Sequence, residues 1–166
     1  MKKFERLCGI AAPLLIDNID TDVIIRVEPL FSNVPKDELG RYCFQVLRQR
    51  EDGSENPDFV LNREPYRDAR ILLAGANFGC GSSREGAVWA LWSMGIRCII
   101  APSFGGIFQG NCFQNGLLPV TLPQSQIDAL VAKMAKNPAA PIAVDLEAET
   151  LTACDGTRLP FHVPAL

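Results

Sequence analysis

A chain of 166 residues, 48% hydrophobic and 21% charged, has the makeup of an ordinary globular domain long enough to bury its own core. A formal charge of −3 leaves no basic footprint for DNA or RNA, and no apolar run approaches the roughly 18 to 20 residues that cross a bilayer. The start, MKKFERLCGIAAPLL, has a short basic opening that Glu5 and Arg6 interrupt; it reads as a first strand rather than a signal peptide, and the protein as cytoplasmic.

In chain order, a strand is expected around residues 7–12, followed by IDNIDTDVII, where Asp17, Asp20 and Asp22 stand among β-branched residues. That run lacks the glycine and closing glutamate of an EF-hand; a magnesium site is the alternative to an ordinary Asx-rich turn. Residues 33–68 hold much of the charge and read as a solvated excursion with one short helix. Then order returns. The run ARILLAGA predicts a buried strand over 69–76, and REGAVWALWSMG a helix over 84–95. RCIIAP is a second buried strand, a short helix is expected to end near Asn115-Gly116, and LLPVTL is a third strand. After Pro123, the residues Ile127, Leu130, Val131 and Met134 share one helical face. The remainder reads as short strands with an Asp155-Gly156 hairpin signal. The pattern is α/β, with a parallel or mixed sheet in the middle, and no repeat or linker divides residues 1–166.

The chemistry concentrates in NFGCGSSREG, residues 77–86, where a strand hands over to a helix. Gly79 and Gly81 permit a sharp turn and close ligand approach, and the helix start offers unpaired N–H groups that favour an anion. Ser82 and Ser83 can cap the helix or face a ligand, and Arg84 adds a charged fork suited to carboxylate. The spacing matches neither a P-loop nor a dinucleotide fingerprint. A plain capping turn and a carboxylate site with serine near reacting carbon both remain open on residue types alone.

Six cysteines lie at wide intervals with no C-x-x-C pair, and His162 is the only histidine, so no zinc or iron–sulfur ligand set is signalled. They read as reduced thiols filling small apolar spaces. Cys80 stands apart, because a thiol near a helix start can be acidified and could act as a redox-sensitive gate.

The segment NFGCGSSREGAVWAL closely resembles the signature of the small subunits of 3-isopropylmalate dehydratase, a branch of the aconitase superfamily. NIDTDVII, NPDFVLN, IIAPSFGGIFQGNCFQNGLLPV and AVDLEAETL follow in the family's order, so the resemblance spans nearly the whole chain. It implies one swivelling β/β/α domain over residues 1–166, of the aconitase C-terminal-domain type. It also implies a two-subunit hydro-lyase whose large, partner subunit carries a 4Fe–4S cluster, with no cofactor or metal held by this chain. On that resemblance Ser82 is the base that takes the C–H proton, and Ser83 and Arg84 hold a carboxylate of a small dicarboxylate substrate. Gly79, Cys80, Gly81, Asp20, Thr21 and Asp22 support the site. The implied reaction interconverts 2- and 3-isopropylmalate by dehydration and rehydration, on the leucine pathway. Citramalate, 2,3-dimethylmalate or homocitrate-type substrates are alternatives, as is a non-catalytic anion-binding paralogue.

Three positions depart from the family pattern. Gly86 replaces a histidine, Val88 a proline, and Arg26 the proline after the D-T-D-x-I-I run. Loss of the histidine is expected to remove a polar side chain from the edge of the site. Arg26 reads as a surface arginine or an added carboxylate contact, and residues 32–42 as the segment that sets specificity. The chain also stops soon after PFHVPAL, where many relatives continue.

Overall fold

Two four-stranded sheets organise residues 3–164, which are those the computed structural model describes. The Met1-Lys2 part of the basic opening and the terminal Ala165-Leu166 lie outside them. The expected first strand is in fact two. β1 (Arg6–Gly9) pairs antiparallel with β6 (Ile142–Asp145), while β2 (Ala11–Leu14) pairs parallel with β3 (Ile71–Ala74). The chain changes sheets at Ile10, whose carbonyl accepts from both Arg70 N (3.0 Å) and Ile71 N (3.2 Å). Gly9 lies so close to the Arg70 stem that an added Cβ would sit 3.0 Å from the Arg70 Cβ. An unbroken apolar run gave no hint of this crossing.

The parallel sheet runs β2-β3-β4-β5, with β4 (Cys98–Ala101) and β5 (Leu118–Thr121) at the expected positions. β3 and β4 are buried on both faces, which explains their continuous apolar sequence. Alternate residues serve different layers. Leu72, Ala74, Ile99 and Ala101 face the layer of crossover helices α4 (Glu85–Met94) and α5 (Gly106–Gln114), which follow the short helices α1 (Thr21–Ile24), α2 (Val27–Phe31) and α3 (Gln45–Arg48). Ile71, Leu73, Cys98 and Ile100 face the antiparallel sheet β1-β6-β7-β8 and helix α6 (Gln124–Lys136), through Val144, Leu151, Ile127 and Leu130. The result is the β/β/α layering expected of a swivelling domain. Strands β7 (Thr150–Thr152) and β8 (Arg158–Pro160) form the hairpin that Asp155-Gly156 signalled. Gly156 adopts φ +88°, and Asp155 accepts from Thr157 N at 3.0 Å and pairs with Lys133.

Residues 33–68 correct the expectation of a solvated excursion. Their charges are largely outside, but Leu39, Cys43, Phe44, Phe59, Val60 and Leu61 are buried. After α1 (Thr21–Ile24) and α2 (Val27–Phe31), a 3-10 stretch (Lys36–Tyr42) and α3 (Gln45–Arg48) lay these side chains onto the helical face of the parallel sheet. Buried Asn62 ties this segment together by donating to the carbonyls of Arg48 (2.9 Å) and Asn56 (2.8 Å). The anchors follow no helical or strand period, which is why a periodicity reading misses them.

Candidate active site

The glycine-serine turn sits at the carboxyl end of the parallel sheet, where open α/β sheets place their ligand crevices. Three loops, one from each of β2, β3 and β4, are knitted together there by backbone hydrogen bonds. Gly79 N donates to Ile19 O (2.7 Å) and Thr21 N to Cys80 O (3.0 Å). From the other side, Phe78 N donates to Ser103 O (3.1 Å) and Gly105 N to Phe78 O (2.9 Å). The D-T-D run and the glycine turn, 60 residues apart in sequence, are thus direct neighbours, with Asp20 bridged to Cys80 as a strand pair.

Each of the three acids has a separate partner. Asp17 accepts from Ala76 N at 2.8 Å, Asp20 caps α1 by accepting from Val23 N at 2.9 Å, and Asp22 forms an ion pair with Arg84. Among the described residues no group of three His, Cys, Asp or Glu side chains converges in a way that would hold a metal ion. The Asp20 cap makes the start of this Asx-rich run one turn of helix despite its β-branched residues. Thr21 is the clamp that sequence reasoning undervalued: buried, it donates its hydroxyl to the Ser82 carbonyl at 2.9 Å.

Ser82 and Ser83 are exposed, and neither caps the following helix. The N-cap is Arg84, which makes no side-chain cap bond, so the plain capping reading does not describe the turn. No hydrogen bond among the described residues uses the N–H groups of Gly81, Ser82 or Ser83. The Arg84 guanidinium is half-buried, and both of its protein contacts use Nη1: the Asp22 carboxylate and the Ile25 carbonyl. Its Nε and Nη2 edge has no protein partner among the described residues. An exposed hydroxyl, free backbone donors and the open edge of an arginine therefore share one turn.

The described residues contain no helix long and apolar enough to cross a membrane. A family model described as the aconitase C-terminal domain matches residues 1–125, and one described as LeuD_N matches residues 128–165. A 3-isopropylmalate dehydratase small subunit of Dinoroseobacter shibae is 52% identical over 165 residues, covering 99% of this chain and 82% of that protein. The chain belongs to this small-subunit family. A member from Rhodospirillum rubrum is 51% identical over 165 residues, 99% of this chain and 79% of its own length. The crystal structure of 3-isopropylmalate dehydratase from Methanocaldococcus jannaschii matches with a TM-score of 0.68 and 28% identity, covering 96% of this chain and 83% of that one.

Within this small-subunit family the departure at Gly86 has a local structural reading. Gly86 is buried in the first turn of α4, and an added Cβ would lie 2.5 Å from Leu30 Cδ2 and 3.2 Å from its Cγ. The position is not an open edge of the site, because Leu30 of α2 occupies the space a side chain would take. The packing makes Gly86 and Leu30 one paired choice. Gly86→Ala alone gains up to about 1 kcal/mol of helix propensity but must displace Leu30, which costs about 1–3 kcal/mol. In a Leu30→Ala background the same change is expected to stabilise. Urea unfolding of the four proteins in a double-mutant cycle should give a coupling of about 1–2 kcal/mol. Additive effects would mean that Leu30 does not select the glycine.

Two other sequence features have definite surroundings. The Lys36–Tyr42 part of the supposed specificity segment packs mainly on the far half of α4: Gly40 N donates to Ser93 Oγ (2.9 Å), and Ser93 Oγ to Asp37 O (2.7 Å). Leu30, which precedes that segment, is the residue that reaches the first turn of α4. Arg26 is exposed and pairs with no carboxylate among the described residues, in keeping with a surface arginine. Burial pushes the thiols of Cys43, Cys98 and Cys112 well above their ordinary range, so these three are packing groups. Cys80 is half-buried beneath the serine turn.

Proposed function

We propose that this chain is the small subunit of a 3-isopropylmalate dehydratase, which interconverts 2- and 3-isopropylmalate by loss and return of water in leucine biosynthesis. The observation that carries this reading is the match over 99% of this chain, at about half identity, to proteins of that name. The exposed Ser82–Ser83–Arg84 turn supports it by offering groups that suit a dicarboxylate. Arg84, held through Nη1, turns its Nε and Nη2 edge toward one substrate carboxylate, with the Ser83 hydroxyl beside it. Ser82 removes the C–H proton and returns it when water adds back. A serine base needs its alkoxide stabilised, and the unengaged N–H groups of the turn and of the α4 start are suited to that task.

The proposal includes a large partner subunit and a cytoplasmic setting. A 4Fe–4S cluster on that partner would serve as Lewis acid toward the departing hydroxyl. The cysteines of this chain do not suit such a cluster: three are buried and inert, and the described residues gather no ligand group.

The test is anaerobic. This chain is combined with a cluster-loaded large subunit and formation of the alkene diacid is followed in the ultraviolet from 2-isopropylmalate, citramalate, 2,3-dimethylmalate and homocitrate. Highest kcat/KM on 2-isopropylmalate is expected. Preference for another diacid would replace the substrate, and a tight complex without turnover on any of them would make the chain an anion-binding paralogue.

A further inference from the structure

At the amino end of the parallel sheet, opposite the serine turn, lies a cavity of about 730 Å³ walled by Arg70 and Arg97 with Phe4, Leu7 and Leu146. The two arginines stand at the starts of β3 and β4, side by side, with Arg97 N donating to Arg70 O at 2.8 Å. Arg97 is fixed at its guanidinium, Arg70 only along its stem. The Arg70 stem lies flat on Gly9, whose missing Cβ leaves room for it. Arg97 stacks on Trp92 at 3.6 Å from the ring centre, and its Nη1 donates to the carbonyls of Trp92 (2.6 Å) and Ile96 (3.0 Å) at the end of α4. Neither guanidinium has a carboxylate partner among the described residues, and the remaining donors of Arg97 are unused. Burial, and then the nearby charge of Arg70, lower the Arg97 pKa.

We propose that this cavity binds a small carboxylate with a short apolar body, its oxygens on Arg70 and Arg97 and its hydrocarbon on Phe4, Leu7 and Leu146. A fixed guanidinium on Arg97 with a second positive charge beside it on Arg70 is costly without an anion and suits the planar fork of a carboxylate. The apolar wall suits a hydrocarbon body. Lys3, Arg6, Glu5 and Glu147 also line the cavity and offset one another, so preference over phosphate rests on the apolar wall, which phosphate cannot use.

The probe is butyrate at constant ionic strength, followed by 1H–15N spectra of the full chain, with butyramide as the uncharged counterpart and inorganic phosphate as the rival anion. Saturable shifts of the Leu7, Arg70, Arg97 and Gly116 amides are expected with butyrate. Binding should weaken about tenfold or more in Arg70→Gln and in Arg97→Lys, the latter keeping charge but losing the fork. Arg70 is exposed, so Arg70→Gln retains the native spectrum and separates lost binding from lost folding. In Arg84→Gln the shifts should persist. The proposal is overturned if butyrate causes no saturable shift, if butyramide or phosphate binds as tightly, if Arg70→Gln binds unchanged, or if Arg84→Gln abolishes binding. Because it reads no turnover, the outcome is independent of the hydro-lyase assignment.

Discussion

Ser82→Ala is expected to lower kcat of the reconstituted complex by about 10²–10⁴-fold, the range associated with a positioned general base. The fold should not notice. The Ser82 side chain is exposed, and the bond that anchors the turn here is accepted by its backbone carbonyl from Thr21, which alanine also supplies. The melting temperature, affinity for the large subunit and KM should therefore stay near their starting values, since exposed substitutions typically change stability by about 0.5 kcal/mol or less. Steady-state kinetics with the alkene assay, alongside a thermal melt, separates these quantities. Retention of more than about a tenth of kcat would remove Ser82 from the proton transfer. Ser83→Ala is the natural comparison, because a group that only holds carboxylate should act mainly through KM.

The second large effect is on stability. Gly79 has φ +77°, and an added Cβ would lie 2.2 Å from Cγ of Phe108, a ring only 3% exposed that meets Phe78 edge-on with centroids 5.5 Å apart. The first carbon of a buried ring cannot swing aside as a chain end can. Gly79→Ala is expected to destabilise by about 2–4 kcal/mol, the sum of a left-handed backbone and an overpacked contact. For a chain of this size that lowers the melting temperature by roughly 5–15 °C. Gly156→Ala is the internal control. Its φ is +88°, but nothing lies within 4 Å of the added carbon, so only the backbone part, about 1 kcal/mol, applies. Thermal melts of the two variants isolate the contact. Equal losses would show that Phe108 does not select the glycine.

Much of the architecture was legible because it was periodic or punctuated. The doubly buried β3 and β4 announced themselves as short apolar runs, α6 as one apolar face after Pro123, and the last hairpin as Asp155-Gly156. The site turn was legible from glycine spacing and from its position between a strand and a helix. What could not be read was set by contacts distant in sequence. The sheet change at Ile10 depends on Arg70, the buried anchors of residues 33–68 on the surface of α4, and the environment of Gly86 on Leu30. The D-T-D run suggested a shared cation by its density of charge. In the folded chain those two acids and the preceding Asp17 have three different partners: Asp20 caps a helix, Asp17 accepts from a backbone amide and Asp22 pairs with Arg84.

The switch of the first strand from one sheet to the other also bears on the order in which the molecule assembles. Leu7 must find Val144 across most of the chain, whereas Leu73 and Ile100, or Ile100 and Val120, meet after a single crossover. Closing the longer loop costs more entropy and rewards it later. On the ribosome, β2 to β5 and the loops that carry the serine turn can pair while β1 waits for β6 to emerge. The edge that carries the serine turn is thus the early part of the molecule, and the antiparallel layer seals it from behind.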